Sequence, residues 1–336
     1  MRVLAVTNMY PTPDHPTLGT FVEQQVSSLR ARGISIEVLL ADRSVRGPRA
    51  YLTLAAEIGQ RLGKGVDLVH VMYGGVMAAV VSRRAGKIPL LVSFCGSDLL
   101  GQKYSGLRRR VAARVGVVAS HFAARRASAI VVKSRNLYEA LPKSVRGDRR
   151  VEIIPNGVDL DRFFPGDPVE SRARLGWSER DLHVLFPANN GDATKRPWLA
   201  RKAVEQARRL GVPATLHELT GVPHASVRDW LNASDVVIVT SDHEGSPNVV
   251  KEALACNTAV VSVDVGDIAT RVAGIAGCHI VSAEPSALAH ALAQVQQHRG
   301  KVAARQAIEP LSREAVAARL GDLYAWCLQT SSSTQN

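Results

Sequence analysis

Short apolar runs rich in β-branched residues alternate along this chain with segments whose apolar residues recur every three or four positions. The first pattern predicts strands buried on both faces and the second predicts amphipathic helices. Their regular alternation predicts parallel α/β sheets. Residues 2–8 are the first apolar run. A loop rich in Pro, Thr and Gly follows at 10–20, then a helix over 21–33 with Phe21, Val22, Val26 and Leu29 on one side. Gly33 is placed to close that helix. Further strands are predicted at 34–40, 66–72, 89–94, 129–132 and 151–154. A small-residue helix ends at Arg84, a basic one spans 107–126, and Ser134 is expected to cap another. The first half thus reads as about seven strand-and-helix units in a doubly wound sheet.

The second half repeats the pattern. Strands are predicted at 181–187, 214–219, 236–239, 259–263 and 279–282. Helices are predicted at 198–210, 226–233, from Val249 onward, at 287–298 and at 312–328. Residues 155–159 carry turn chemistry, and Pro165-Gly166-Asp167-Pro168 reads as a domain boundary. The expected organisation is a first domain over 1–165, a second over 166–311, a final helix over 312–328 and a disordered polar tail over 329–336. Two Rossmann-like doubly wound halves facing each other across a cleft is the expected architecture.

Length agrees with this division, because 336 residues exceed the usual limit of one core. No apolar run reaches the ~20 residues of a membrane span. The N-terminal run reads as a first strand, not a signal peptide. Cys95, Cys256, Cys278 and Cys327 are scattered singly, which predicts no zinc site and no disulfide framework, and a reducing cytoplasm. Cys256 and Cys278 are expected to be small core hydrophobes.

Charge changes the picture more. The net charge is +12; residues 1–165 hold 25 Lys and Arg against 12 Asp and Glu, and residues 166–336 hold 17 against 18. A basic half beside a neutral half predicts an anionic partner for the first half alone. The densest stretch is residues 107–126, LRRRVAARVGVVASHFAARR. At helical spacing its charges and its Val and Ala positions fall on different faces, suiting an anionic membrane surface. A solvated basic face is the plain alternative. Nucleic acid is disfavoured, since no known nucleic-acid motif is present and aromatics are only 5%.

Candidate chemistry concentrates at residues 241–252, SDHEGSPNVVKE, between the 236–239 strand and the following helix. A strand, a glycine turn and a helix start together aim free backbone N–H groups and a positive dipole end at one point. Such a point holds a phosphate. Glu244 and Glu252 bracket it. Carboxylates repel phosphate but accept strongly from sugar hydroxyls, so the stretch reads as a site for a sugar joined to a phosphate. Gly19, in the loop after the first strand, is a candidate for close backbone approach to phosphate. Lys195 follows another strand's carboxyl end, where open α/β sheets bind ligands. Asp98 ends the polar stretch Cys95-Gly96-Ser97-Asp98, with a turn-acceptor or N-cap role as the alternative to a catalytic one. Asp242 and His243 are read as supporting the turn, and His15 and His121 as surface or structural residues.

LGTF in the first loop, IPNGVDLDRF at the domain junction, TKRP after the first strand of the second half, and EGSPNVVKEALACNTAVVS together resemble the retaining glycosyltransferases of family 4. The resemblance spans nearly the whole chain. The first half looks most like enzymes of bacterial surface-polysaccharide assembly. It implies the two-Rossmann-domain GT-B fold and a retaining, hexosyltransferase-type enzyme. That enzyme would use a nucleotide-diphosphate sugar donor and a lipid-linked or oligosaccharide acceptor, with no metal or other cofactor. It also implies roles. Glu252 would accept from the donor's ribose, and Glu244 would contact the transferred sugar. Gly245, Ser246, Pro247, Asn248 and Val249 would frame the phosphate or sugar. Lys195, with Arg196 beside it, would neutralise the leaving diphosphate. Gly19 would approach that diphosphate from the opposite domain. Cys95 would touch the sugar and Asp98 would join the catalytic set.

Two departures stand out. Cys95 occupies a position where family members often carry His. Asn189 and Asn190 occupy a region where many carry Arg, with Arg196 as a substitute cation. A sugar-nucleotide epimerase on the same scaffold, or a protein that binds a nucleotide sugar without turnover, are the competing functions. The expected location is the cytoplasm, peripheral on the inner face of the plasma membrane through the 107–126 helix.

Overall fold

The computed structural model describes all residues except Thr17, 42–46, 48–49, 102–105, 188–191 and 334–336. The chain forms two compact units, one of Met1–Gly157 with Arg313–Asn336, the other of Val158–Ser312.

The first unit is built on a six-stranded sheet in the order β2-β1-β3-β4-β5-β6. Its strands are β1 (Arg2–Thr7), β2 (Ser35–Leu40), β3 (Leu68–Val71), β4 (Leu90–Phe94), β5 (Ala129–Val132) and β6 (Arg150–Ile153). All pairings are parallel. The period of two sends alternate residues to opposite layers. Leu4, Val6, Val69, Val71, Val92 and Phe94 join one core with Leu54, Met77 and Val81. Val3, Ala5, Leu68, Leu91 and Val131 join the other with Val22, Val26 and Leu29 of the Thr20–Ala31 helix. That helix ends as expected: Gly33, at φ 80°, donates to the Arg30 carbonyl, and Ile34 donates to Leu29.

The second unit carries a five-stranded parallel sheet in the order β11-β10-β9-β7-β8. Its strands are β7 (Leu182–Phe186), β8 (Ala214–Glu218), β9 (Val236–Val239), β10 (Ala259–Val263) and β11 (His279–Val281). Five strands were expected here and five are present. In both sheets the strand order reverses once, between β1 and β3 in the first unit and between β7 and β9 in the second. Loops leaving such a switch point diverge to opposite faces and open a crevice.

The six strands expected in the first half are all present, in one sheet. Several other expectations differ from the structure. The units divide after Gly157, before the Pro165–Pro168 turn. The reason lies in the core, since Val158 and Phe163 are buried in the second unit's hydrophobic cluster. Val158 also bridges Ser312 in parallel and donates to the Leu311 carbonyl at 2.8 Å, so the chain enters and leaves that unit side by side. The final helix belongs to the first unit and runs Arg313–Ser333. It continues past residue 328, and within it the Thr330 and Ser331 hydroxyls turn back to donate to the Trp326 and Cys327 carbonyls, each at 2.8 Å. A helix at Ala50–Leu62 was not anticipated. Ser134 sits at its expected N-cap but makes no capping bond; its hydroxyl donates to Asn136 Oδ1 instead. All four cysteines carry free thiols.

One buried polar chain fixes the final helix to the first sheet. His70 on β3 bonds Tyr324 through Nδ1 and Ser93 through Nε2, both at 2.7 Å. Burial, reinforced by the Lys133 charge, pushes the imidazole down to about 3. In the second unit His217 stacks on Trp177 at 3.5 Å and shares a 2.9 Å hydrogen bond with His183. Burial and that neighbour lower His217 to about 4. Both rings stay neutral in the fold, whereas in the unfolded chain they take up protons near pH 6.5. Their contribution to stability is therefore complete above about pH 7 and is lost progressively as pH falls below about 6.5. Urea midpoints should decline from about pH 6.5 downward, before the carboxylate range is reached; a midpoint constant between about pH 7 and 5 would refute this.

Candidate active site

The second unit's site forms at the end of β9. Val236–Val239 is fully buried, because flanking strands and helices cover both of its faces. Polar residues begin at once beyond it. Thr240 and Ser241 are buried and Asp242 is exposed. The turn ends at Pro247, φ −66° and ψ 126°, and a helix runs Asn248–Ala255. Proline there suits a helix entry, since its fixed φ matches the geometry of the start. Val250, Ala253 and Leu254 anchor the helix in the core. The helix start turns the positive end of its dipole toward the turn, where an anion is favoured.

The loop after β7 is stitched to this turn. Asp192 caps a single 3₁₀ turn, Ala193–Lys195, by accepting from the Thr194 amide at 3.0 Å. Arg196 then takes a left-handed conformation, φ 51°, and Pro197 starts the next helix. A non-glycine residue in that conformation is strained and needs outside support. Arg196 has it: its guanidinium donates to the Thr240 carbonyl at 2.5 Å and the Ser241 carbonyl at 3.1 Å, and pairs with Asp242 at 3.1 Å. Thr240 Oγ1 donates back to the Lys195 carbonyl at 2.7 Å, and the Asp242 amide donates to Thr194 at 2.8 Å. This framework sets Lys195 Nζ 2.5 Å from Glu244 Oε1.

Lys195, Arg196, Glu244, Gly245, Ser246, Pro247, Asn248 and Val249 therefore come from two loops joined by hydrogen bonds. Asp242 supports the turn, as its sequence position suggested. Glu252 sits further along the same helix. Among the described residues its carboxylate has no Lys or Arg within 4.0 Å; the nearest cationisable group is His224, with Nε2 3.8 Å away. Asn189 and Asn190 lie outside the described residues. Two neighbours of the site went unmarked in the sequence. Lys251 is buried and its ammonium donates to Ser246 Oγ at 3.2 Å. Gly266, at φ 65°, lies so close that a Cβ there would meet the Gly245 carbonyl at 2.5 Å and Glu244 Cβ at 3.0 Å.

Gly19, Cys95 and Asp98 belong to the first unit. Gly19 is the N-cap of the Thr20–Ala31 helix in a left-handed conformation, φ 71°. A Cβ there would sit 2.4 Å from the Met9 carbonyl, so its own loop already requires glycine. Asp98, 4% exposed, accepts from the Gly74, Cys95 and Gly96 amides at 2.8, 3.0 and 2.7 Å. Its carboxylate is thereby spent on the loop's backbone. Burial pushes that carboxyl up, with the three amides opposing. The Cys95 thiol is pushed up to about 12 by burial and by Asp98, so it stays protonated at neutral pH. Lys133, also unmarked in the sequence, is buried just past β5, next to Cys95 across the β4–β5 register. Burial lowers its ammonium, with Cys95 and Asp98 acting the other way. Among the described residues no group of three or more His, Cys, Asp or Glu gathers closely enough to hold a metal ion.

Known proteins share the family and the fold. Residues 6–162 match the family described as Glycosyltransferase Family 4, and residues 190–298 match Glycosyl transferases group 1. The chain is similar to D-inositol 3-phosphate glycosyltransferase 1 of Catenulispora acidiphila, 30% identical over 67% of this chain and 63% of that one. It is 31% identical to D-inositol 3-phosphate glycosyltransferase of Frankia alni over 47% of this chain and 46% of that one. It is also similar to the putative teichuronic acid biosynthesis glycosyltransferase TuaC of Bacillus subtilis, 27% identical over 80% of this chain and 82% of that one. The matches to the inositol-phosphate relatives span between 46% and 63% of those proteins' length. Two solved structures share the fold. Sucrose-phosphate synthase from Thermosynechococcus elongatus superposes with a TM-score of 0.76 at 18% identity, covering 98% of this chain and 100% of that one. HepE from Anabaena, in complex with UDP and glucose, gives 0.68 at 16% identity, over 96% and 99%.

The crowding at Gly266 is testable. Gly221 has the same φ of 65° but open space around it. Gly221→Ala should cost about 1 kcal/mol from backbone strain alone. Gly266→Ala should cost about 3 kcal/mol or more, because the Glu244–Gly245 turn must move as well. Equal losses in urea unfolding would show that the turn does not depend on this contact.

Proposed function

Because this chain belongs to glycosyltransferase family 4, we propose that it is a retaining, metal-independent hexosyltransferase. It moves a sugar from a nucleotide-diphosphate donor to a hydroxyl of a lipid-linked or oligosaccharide acceptor in surface-polysaccharide or glycoconjugate assembly. The observation that carries the reading is the convergence of Lys195, Arg196 and the Asn248–Ala255 helix start on the β7–β9 switch point, with Glu244 and Glu252 beside them. In the transfer, the bond from the sugar's anomeric carbon to the donor phosphate breaks and a bond to the acceptor oxygen forms on the same face. The acceptor's proton passes to the leaving phosphate. Charge grows on the diphosphate, and Lys195 with the helix-start amides lies ready to stabilise it, which does the work a metal would otherwise do. Glu252 accepts from the ribose hydroxyls. Glu244, paired with Lys195 in this structure, accepts from the sugar once the diphosphate takes the ammonium.

Glu252→Ala removes two charge-assisted hydrogen bonds at about 1.5 kcal/mol each, so kcat/KM should fall about a hundredfold or more. The thermal midpoint should stay unchanged, because the side chain packs at the site's edge. Near-normal transfer in that variant would sink the assignment. Nucleoside diphosphate release that requires an acceptor supports a transferase. Donor isomerisation without acceptor would favour an epimerase, and binding without turnover a carrier.

The membrane part of the reading rests on the Leu107–Arg126 helix. Leu107, Val111, Val115 and Val118 each expose half or more of their surface. Val111, Val115 and Val118, with Val76, Val80 and Phe122, border an apolar groove of about 510 Å³, rimmed by Arg83 and Arg114. The helix holds six arginines and no acid. Apolar side chains set among arginines suit a bilayer surface with anionic headgroups, which supports a peripheral location on the inner face of the plasma membrane. No helix among the described residues is long and apolar enough to cross a membrane. The protein should sediment with phosphatidylglycerol-containing vesicles, less so at high salt, and not with pure phosphatidylcholine. Reversing Arg108 and Arg109 to Glu should weaken that binding about a thousandfold, at about 1 kcal/mol per charge removed and a similar penalty per charge added. Equal binding to neutral and anionic vesicles would refute docking and leave the transferase reading standing.

A further inference from the structure

The junction motif ending in Asp159-Leu160-Asp161-Arg162-Phe163 has no role in the chemistry above, yet it reaches the site. Arg305 clamps this segment, donating to the Leu160 carbonyl at 2.8 Å and to the Phe163 carbonyl at 2.5 Å. The same guanidinium donates to the Ala255 carbonyl at 3.1 Å, the last residue of the helix that carries Glu252. Asn257 in turn holds the Arg305 amide through Oδ1 at 2.9 Å. The segment and the helix therefore move as one piece. The Arg162 amide donates to Asp159 Oδ1 at 3.0 Å, and the Arg162 side chain extends to His224, with Nη1 2.6 Å from Nδ1.

A guanidinium carries only donors. His224 Nδ1 must therefore accept, and the neutral ring's proton lies on Nε2. That nitrogen is the one 3.8 Å from Glu252 Oε1. Phe163 meets the imidazole edge-on, centroids 5.6 Å apart at 80°, which fixes the plane of the ring. At 3.8 Å the contact is longer than a hydrogen bond, so the N–H dipole guides the carboxylate without occupying it. The second carboxylate oxygen keeps its lone pairs for a ligand.

We propose that His224 is a positioning residue that holds the Glu252 carboxylate for the two hydroxyls of the donor's ribose, with Arg162 setting its tautomer. The inference rests on the reading of Glu252 as the ribose acceptor. It gives the junction motif a function: Arg162 and Phe163 aim one imidazole N–H at one carboxylate. A side chain that must be aimed at a substrate needs neighbours whose own rotamers are locked, and Arg305 locks the segment they come from.

The test uses UDP, ADP and GDP, each with its 2′-deoxy analogue, titrated calorimetrically into the full chain. For the tightest base, wild type should bind the ribose form about tenfold or more better than the deoxy form. His224→Ala should reduce that ratio severalfold while leaving deoxy binding and the thermal midpoint near wild type. His224→Gln, whose amide can present an N–H, should restore much of it, and Arg162→Met should behave like His224→Ala. Transfer kinetics should show a raised donor KM with kcat little changed. A purely structural role would weaken both ligands together and leave the ratio intact. A wild-type ratio in His224→Ala overturns the inference even where Glu252→Ala loses discrimination. If wild type itself fails to distinguish ribose from deoxyribose, the reading of Glu252 falls and this inference falls with it.

Discussion

A parallel strand buried on both faces can show chemistry to solvent only at its ends, and the central strands of this protein, β3, β4, β5, β7, β9 and β10, are buried along their whole length. β9 contributes four fully buried residues and then, within three positions, an exposed Asp242. Its flanking strands admit no polar side chain along its length, so all functional groups must gather beyond Val239. The reversal of strand order between β7 and β9 then decides which loops can meet. The loop carrying Lys195 and the turn carrying Glu244 are neighbours because β7 and β9 are neighbours, although the two residues are far apart in sequence. Arg196, in its left-handed conformation, converts that adjacency into a fixed distance by binding three groups at the end of β9.

The sequence made the parts governed by local pattern legible. β9 and β10 were placed to the residue because short β-branched runs, VVIV and AVVSV, stand between clear turn and helix signals. The focal turn was legible because strand, glycine and helix start follow each other directly. What stayed hidden depended on contacts across long separations. Phe163 looks like part of a linker beside a proline turn, and only its burial assigns it to the second core. The final helix is amphipathic in sequence, but nothing local says that Tyr324 will reach back to His70. The Ser and Thr run near the C-terminus reads as a polar tail, yet the helix continues through it, its hydroxyls bonding carbonyls four residues back. His224 carries no signal at all, since its partners lie in two other segments.

Family likeness and physical reading part company at Gly19 and Asp98. Each lies at a strand's carboxyl end, and likeness assigns each a place in the reaction. In the structure each already meets a requirement of its own loop. Gly19 lets Met9 pass where a side chain would collide, and Asp98 binds three amides that burial would otherwise leave unsatisfied. A residue kept by its loop does not need a substrate to explain it. The Lys195–Glu244 pair is different: it lies beside a turn already joined to the neighbouring loop by backbone and Arg196 contacts.

That pair also explains how a site with so many charges can stand ready without a ligand. An ammonium and a carboxylate that are mostly withdrawn from water stabilise one another, with side chains 23% and 14% exposed. Removing either alone would leave a poorly solvated charge behind. Under the proposed function, an incoming diphosphate would offer the ammonium a more highly charged partner at the same place, so the lysine would change partners without being desolvated afresh. The carboxylate released in that exchange would be left beside the sugar, where hydroxyl donors would replace the ammonium. Selection for the intact nucleotide sugar would then follow from the exchange itself, before any contact with the base is counted.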